Sequence, residues 1–311
     1  MALTLAEGNK YSTTELDRVV IDRLVKESRA LEILPFESLL GNSLTYDTIT
    51  TDSTASFFSV GETWTESTPV LTQATVTLKI LGEDADIDNF IMATRSNKMD
   101  IKGIILENKV KSVQYKFLDT FFYGNATSNT KEFDGLQALM TSTTYNTVHA
   151  GATTGTLLSI AKLREAIDLI TGWKPTQIFM SKMLRRYISV YLDSIGDKFF
   201  TDRDSFGRHI LTFDGIEVVP DDHILNTETA ASGAYTASTG GGNTTIFIAT
   251  FAPQAICGVQ GEAGVKTIPL GDLETKDAQR YRVRWYTGLK FEDLRSSAKV
   301  DGIDADGTVA A

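Results

Sequence analysis

Residues 97–125 read N-K-M-D-I-K-G-I-I-L-E-N-K-V-K-S-V-Q-Y-K-F-L-D-T-F-F-Y-G-N, and after a short polar loop residues 131–140 read K-E-F-D-G-L-Q-A-L-M. No proline interrupts the run from about Met99 to Tyr123. Leu106, Val110, Val113, Phe117 and Phe121 recur at spacings of four and three, which predicts one helix over 98–123 with that stripe against a core. Lys102, Glu107, Lys109, Lys111, Lys116 and Asp119 lie largely off the stripe, as a solvated back requires. At roughly 1.5 Å per residue the helix is ~40 Å long. Gly124 and Asn125 end it, since both tolerate the left-handed conformation that closes many helices.

Outward from this helix, the preceding segment changes period. S-L-T-Y-D-T-I-T-T-D-S-T-A-S-F-F-S-V (43–60) and P-V-L-T-Q-A-T-V-T-L-K-I-L (69–81) are β-rich runs flanking G-E-T-W-T-E-S-T (61–68). Val70, Ala74, Val76, Leu78 and Ile80 share one parity, with Thr75, Thr77 and Lys79 opposite. A two-stranded ribbon is marginal in water, so this hairpin needs a surface to lie on. In the following G-E-D-A-D-I-D-N-F, Asp84, Asp86 and Asp88 fall on one face and Ala85 and Ile87 on the other. An EF-hand reading fails because Asn89 and Arg95 stand where glycine and glutamate are required, so a solvated acidic edge is expected. Before the hairpin, Ser12 or Thr13 caps an amphipathic helix carrying Leu16, Val19, Val20 and Leu24.

After the F-D-G-L turn, 141–155 reads as loop or ragged strand. Thr156 is the expected cap of a helix with Ile160, Leu163, Ile167 and Ile170 on one face, ended by Gly172. A buried strand (P-T-Q-I-F-M), a second capped helix from Ser181 and a turn into G-I-E-V-V-P follow. Residues 226–245, rich in Thr, Ser and Gly, read as a flexible loop. The chain returns through T-I-F-I-A-T-F-A-P-Q-A-I-C-G-V and R-Y-R-V-R-W-Y-T-G-L-K-F-E-D, and D-G-I-D-A-D-G (301–307) reads as a polar tail.

Composition narrows the function classes. With 311 residues, two ordinary domains are expected. No run of 18 apolar residues offers a membrane span, and the first ten residues lack the basic and apolar regions of a secretory signal. The single Cys257, in an apolar run, suits a reducing cytoplasm and reads as a buried inert thiol. A net charge of -10 argues against a protein that grips phosphates, though not against a wall around nucleic acid. His149, His209 and His223 fall in separate expected loops or turns, and none has zinc-helix spacing. No nucleophile elbow, Walker loop or dinucleotide fingerprint appears, and the glycines at 240–242 precede a strand rather than a helix. Asp221, Asp222 and His223 could form an acid/base set but read as a solvated loop. Neither catalysis, cofactor nor metal is expected.

The long helix, the hairpin before it, the F-D-G-L turn and the late R-V-R-W-Y-T-G-L-K-F-E-D-L-R-S-S-A-K-V-D-G-I (282–303) together resemble, in number and order, the major capsid proteins of tailed bacteriophages with the Hong Kong 97-like fold, and the related encapsulin shells. The resemblance implies an α+β fold with an N-terminal arm (1–43), an extended hairpin or E-loop (44–82), a peripheral domain (83–132) holding the spine helix (98–123), an axial domain (133–278), and a C-terminal strand and tail (279–311). It implies hexamers and pentamers closing an icosahedral head around double-stranded DNA, as a virion component assembled in the bacterial cytoplasm. Glu62, Trp64 and Glu66 at the hairpin tip would contact a neighbouring subunit, and Asp193, Asp197, Lys198, Asp202, Arg203 and Asp204 would lie near the capsomer axis. The hairpin tip has no lysine and Lys79 sits on the returning strand, so subunits would join non-covalently. The long scaffolding extension of some relatives is missing, which would call for a separate scaffolding protein; portal and decoration proteins are further expected partners. An encapsulin around a cargo enzyme is the alternative within the fold, and a soluble α+β enzyme or binding module the alternative outside it.

Overall fold

The computed structural model describes residues 3–4, 28–51, 53–95, 101–150, 156–194, 200–203, 209–231, 234–236, 241–306 and 309. The helix expected near residues 12–27 lies outside them, as do Asp197, Lys198 and Asp204. Helices are α1 (Arg29–Ile33), α2 (Asn89–Arg95), α3 (Ile101–Tyr123), α4 (Leu136–Leu139), α5 (Ile160–Asp168) and α6 (Lys182–Ser194). One sheet joins β1 (Leu3–Thr4), β2 (Pro35–Leu39), β14 (Ile256–Asp272), β15 (Ala278–Phe291) and β5 (Lys79–Asp88), in that order. A second joins β6 (Thr147–His149), β16 (Ala298–Asp304), β13 (Asn243–Ala249), β7 (Gln177–Met180), β10 (Ile216–Pro220), β9 (His209–Phe213) and β8 (Phe200–Arg203). Two hairpins stand apart: β3 (Ser43–Thr51) with β4 (Val70–Thr77), and β11 (Thr229–Ala231) with β12 (Ala234–Thr236).

Helix α3 is the plank between the sheets. Its expected stripe is buried, with Leu106, Val110, Val113, Phe117 and Phe121 between 1% and 6% exposed. Toward its C-terminus the stripe widens, and Gln114, Leu118 and Phe122 are buried too. The cause is two-sided packing. Phe117 stacks on Trp285 of β15 with centroids 4.6 Å apart, while Phe122 meets Phe179 of β7 and Phe247 of β13, each at 5.6 Å. One apolar cluster thus joins both sheets through the helix. Truncating a ring there costs about 3–5 kcal/mol. The polar back is paired more than expected: Lys109 reaches Glu83 at 2.5 Å and Lys116 reaches Glu132 at 2.8 Å.

Several local expectations change. Gly124 closes α3 without a left-handed φ. Its hydrogen is needed for close approach, because a Cβ there would lie 2.3 Å from the Phe133 carbonyl oxygen. Gly135 donates its N–H to the Gly124 carbonyl (2.9 Å), and a Cβ on Gly135 would lie 2.4 Å from the Thr120 carbonyl oxygen. The F-D-G-L turn can therefore press against the last helical turn. The cap of α5 is Ser159, whose Oγ accepts from Ala161 N–H, while Thr156 bridges to Ile303 instead. Helix α5 stops at Asp168, and Gly172 (φ 81°) makes the turn beyond it. Ser181 caps α6 as expected, accepting from Leu184 N–H at 3.2 Å. The F-D-G-I turn between β9 and β10 places Asp214 and Gly215 at φ 48° and 78°, a two-residue hairpin turn.

Two expected loops are partly strand. Within 226–245, Glu228 pairs with Asn243 and β13 begins there, with Thr244 and Thr245 fully buried. Threonine's branched side chain suits a strand as well as it suits a loop, and here the strand wins. The 301–307 tail is largely β16, seated between β6 and β13, with Asp301 only 2% exposed.

Candidate assembly surfaces

The β3–β4 hairpin is in register from Ser43↔Thr77 to Ile49↔Leu71, shifts by a bulge before Thr51↔Val70, and is bare at its far end. Phe57 and Val60 are fully exposed, Trp64 is 78% exposed, and Val70 and Leu71 remain more than half exposed. Phe58 stacks on Trp64 with centroids 4.7 Å apart, and Glu62 accepts from Ser59 N–H at 2.7 Å, which shapes the tip around Gly61. Glu66 is exposed beside them. These side chains leave a contiguous apolar surface exposed on a two-stranded ribbon, the kind of patch that soluble monomers rarely carry. At its base the ribbon is anchored: Lys79 Nζ donates to the Thr130 carbonyl at 2.8 Å.

The acidic run continues from the hairpin as the outer strand of its sheet, with Ala85 and Ile87 buried against α3. Its carboxylates are not merely solvated. Asp84 accepts two hydrogen bonds from Arg282, and Asp86 two from Arg280, at 2.6–2.8 Å. Those bonds hold both carboxyls below their ordinary range. Asp88 instead accepts from Phe90 and Ile91 N–H, capping α2. The signal was in the sequence: D-A-D and R-Y-R share a period of two. Only the register, Asp84↔Arg282 and Asp86↔Arg280, joins them.

The other expected charges are dispersed. Asp193 is exposed near the end of α6, and Asp202 and Arg203 lie on β8 opposite Ile210 and His209. His149 is on β6 and His209 on β9, strands rather than loops; only His223 lies in a turn. His223 Nδ1 is 2.7 Å from Asp119 Oδ1, which raises its pKa, and its N–H donates to Asp221. Asp221 is pushed up by burial, and Asp222 pairs with Lys182. Beside them a cavity of about 320 Å³ is lined by Lys182, Arg186, Asp221 and Asn226. Among the described residues no group of three or more His, Cys, Asp or Glu could hold a metal ion. Cys257 is fully buried, donating to the Pro35 carbonyl, and burial pushes its thiol up to about 12.

Sequence reading passed over Glu228. Its side chain is fully buried where the end of α3 meets the second sheet. Tyr123 Oη donates to Glu228 Oε1 at 2.5 Å and Thr245 Oγ1 to Oε2 at 2.6 Å; Tyr123 Oη also accepts from Leu225 N–H at 3.1 Å. Burial outweighs these bonds and raises the Glu228 carboxyl to about 7. Nearby on β16, Lys299 and Asp301 are both buried, and Asp301 Oδ1 lies 2.6 Å from His149 Nδ1. No local pattern in N-T-E-T-A-A announces this, since the partners come from Tyr123, Thr245 and β16.

No protein-family model matches the chain, and no curated protein does. Solved structures do. The chain is similar to the SrpI encapsulin of Synechococcus elongatus PCC 7942 (TM-score 0.68, 13% identity, covering 90% of this chain and 89% of that one). It is similar to the capsid of a native GTA particle (TM-score 0.64, 11% identity, 90% of each chain). It also matches a chain of Microbacterium phage Oxtober96 (TM-score 0.61, 13% identity, 88% and 90%). At such identities the likeness is one of fold, and it spans nearly the whole of each chain. The protein has the α+β Hong Kong 97-like fold of phage capsids and encapsulins.

Proposed function

We propose that the chain is a structural major capsid protein, assembling as hexamers and pentamers into an icosahedral phage head that encloses double-stranded DNA. The observation that carries this reading is the exposed apolar hairpin, Phe57, Val60 and Trp64 above all, on a fold otherwise found in closed shells. A solitary subunit would leave that surface in water, whereas overlap with a neighbour buries it. Glu62, Trp64 and Glu66 are the contacts of the tip. The charges of 193–204 stand toward the capsomer axis, 1–43 serves as arm, and 44–82 as E-loop. The work is mechanical: α3 stiffens each subunit and the ribbon ties it to the next without covalent bonds or catalysis. DNA is held by enclosure, as the net charge of -10 suits. A separate scaffolding protein guides assembly in the host cytoplasm, and portal and decoration proteins complete the virion. No described helix is long and apolar enough to cross a membrane.

Deleting residues 61–69 is the test. The subunit should remain folded and soluble yet fail to form closed shells in size-exclusion chromatography. Intact shells from the deletion would contradict the role given to the hairpin.

A further inference from the structure

Glu228 closes a loop and meets a helix end at the same point. Its N–H donates to the Asn243 carbonyl at 2.9 Å, and its carbonyl accepts from Asn243 N–H at 3.3 Å. The chain passes so close there that a Cβ on Gly241 would lie 2.0 Å from the Glu228 carbonyl oxygen. Tyr123 at the end of α3 and Thr245 on β13 each give the carboxyl one hydrogen bond. Tyr123 also accepts from Leu225 N–H, so one phenol holds both ends of the 225–228 segment. The charges around this point do not balance. On β16, Lys299 and Asp301 act on Glu228 and are 4% and 2% exposed. Lys299 Nζ lies 3.7 Å from Asp301 Oδ2 and donates to the Gln137 carbonyl of α4. From β6, His149 Nδ1 meets the other Asp301 oxygen at 2.6 Å, and its side chain is 35% exposed. Tyr123 stays a neutral phenol, because burial and the neighbouring carboxyl push its ionisation well above the ordinary range; Asp221, in the turn after β10, adds to that push. Among the described residues, two buried carboxyls thus share one buried ammonium. While His149 is neutral, one of the two is best kept protonated, since a second buried anion has no counter-ion. Asp301 has Lys299 and His149 beside it, whereas Glu228 is bonded to two neutral hydroxyls. The proton belongs on Glu228.

We infer that Glu228 is a proton-operated latch: while protonated it fastens segment 225–228 to the end of α3 and to β13, and once ionised it releases that segment locally, with both sheets still folded. Release brings the carboxylate to water, which solvates a charge that the interior does not. Burial raises the latched carboxyl from 4.5 to about 7. The latch is therefore strongest on the acid side, weakens as pH rises through that window, and changes little above it. The inference goes beyond the shell reading and holds or fails independently of it.

Hydrogen–deuterium exchange on unassembled full-length subunits tests it, with rates corrected for the intrinsic effect of pH. The amides of Leu225, Glu228 and Asn243 should exchange faster than those of Phe247 and Trp285, inside β13 and β15. The opening that they report should rise about thirtyfold from pH 5.5 to pH 8.5, the factor expected when a carboxyl moves from about 7 latched to 4.5 released. In Glu228→Gln the same amides should keep their protection across the range, because that side chain has no charge to expel. Should the variant fail to fold, the wild-type profile decides alone. Exchange of Leu225, Glu228 and Asn243 in step with Phe247 and Trp285 would mean that the segment opens only with the whole fold. A wild-type opening that does not vary with pH, or a pH dependence retained in Glu228→Gln, would take the proton out of the account. Each of these results overturns the latch and leaves the shell reading standing.

Discussion

Replacing Glu228 with glutamine should change how stability depends on pH. The folded carboxyl is raised from 4.5 to about 7 because burial outweighs the hydrogen bonds from Thr245 and Tyr123. Between those values the folded protein keeps a proton that the unfolded chain has released, so stability falls as pH rises through the window and levels off above it. At about 1.36 kcal/mol per unit, the ionised group leaves the fold about 3 kcal/mol weaker at pH 8 than at pH 4.5. Glutamine keeps one oxygen for Tyr123 and offers its amide N–H to the Thr245 hydroxyl, so it mimics the protonated acid. Unassembled Glu228→Gln subunits should therefore lie within about 1 kcal/mol of wild type at pH 5 and gain about 3 kcal/mol at pH 8. At roughly 2–4 °C per kcal/mol for large domains, that is ~6–12 °C in Tm. His223 and Asp221 titrate in both proteins, whereas Lys299 and Asp301 are coupled to Glu228, so the difference reports the charge at position 228 together with its effect on that pair. Scanning calorimetry at both pH values measures it. An equal shift at pH 5 and pH 8, or none at pH 8, would refute the reasoning.

Tyr123→Phe removes the partner of both Glu228 Oε1 and Leu225 N–H, and should destabilise by about 1–3 kcal/mol in chemical denaturation. The same change deletes a bond that favours the Glu228 carboxylate, so the pH window of that residue should move upward. Gly135→Ala drives a methyl into the Thr120 carbonyl and should cost at least the upper end of the roughly 1–3 kcal/mol of overpacking, read as a lowered Tm. Cys257 should resist a thiol reagent at pH 8 in the native protein and react fully only after unfolding, because it is buried with its thiol pushed up to about 12.

The spine helix and the Asp84–Asp88 alternation were legible because each buries one face, and one-sided burial writes its period into the sequence; the hairpin was legible from its two β-rich runs around a polar turn, although most of it is exposed. What escaped is buried on both sides or paired at a distance. Strand β16 contains D-G-I-D, which looks solvated, yet Asp301 is met by His149, 152 positions earlier, and by Lys299. Glu228 owes its burial to Tyr123, 105 positions away. Gly124 was read as a left-handed terminus when its role is close backbone approach, since glycine marks both and the sequence does not tell them apart. The exposed sheet face and hairpin were half legible. A hairpin end carrying Glu62, Trp64 and Glu66 can be seen in the sequence, but that Lys266 and Arg284 stand opposite each other becomes visible only once their strands are set in register.

The central claim is that the subunit builds closed shells, and electron microscopy of the purified protein, with and without nuclease treatment, tests it most directly. Closed particles of icosahedral form, holding nuclease-protected DNA when taken from infected cells, are the expected result. A protein that stays monomeric even with its candidate scaffold co-expressed would contradict the account.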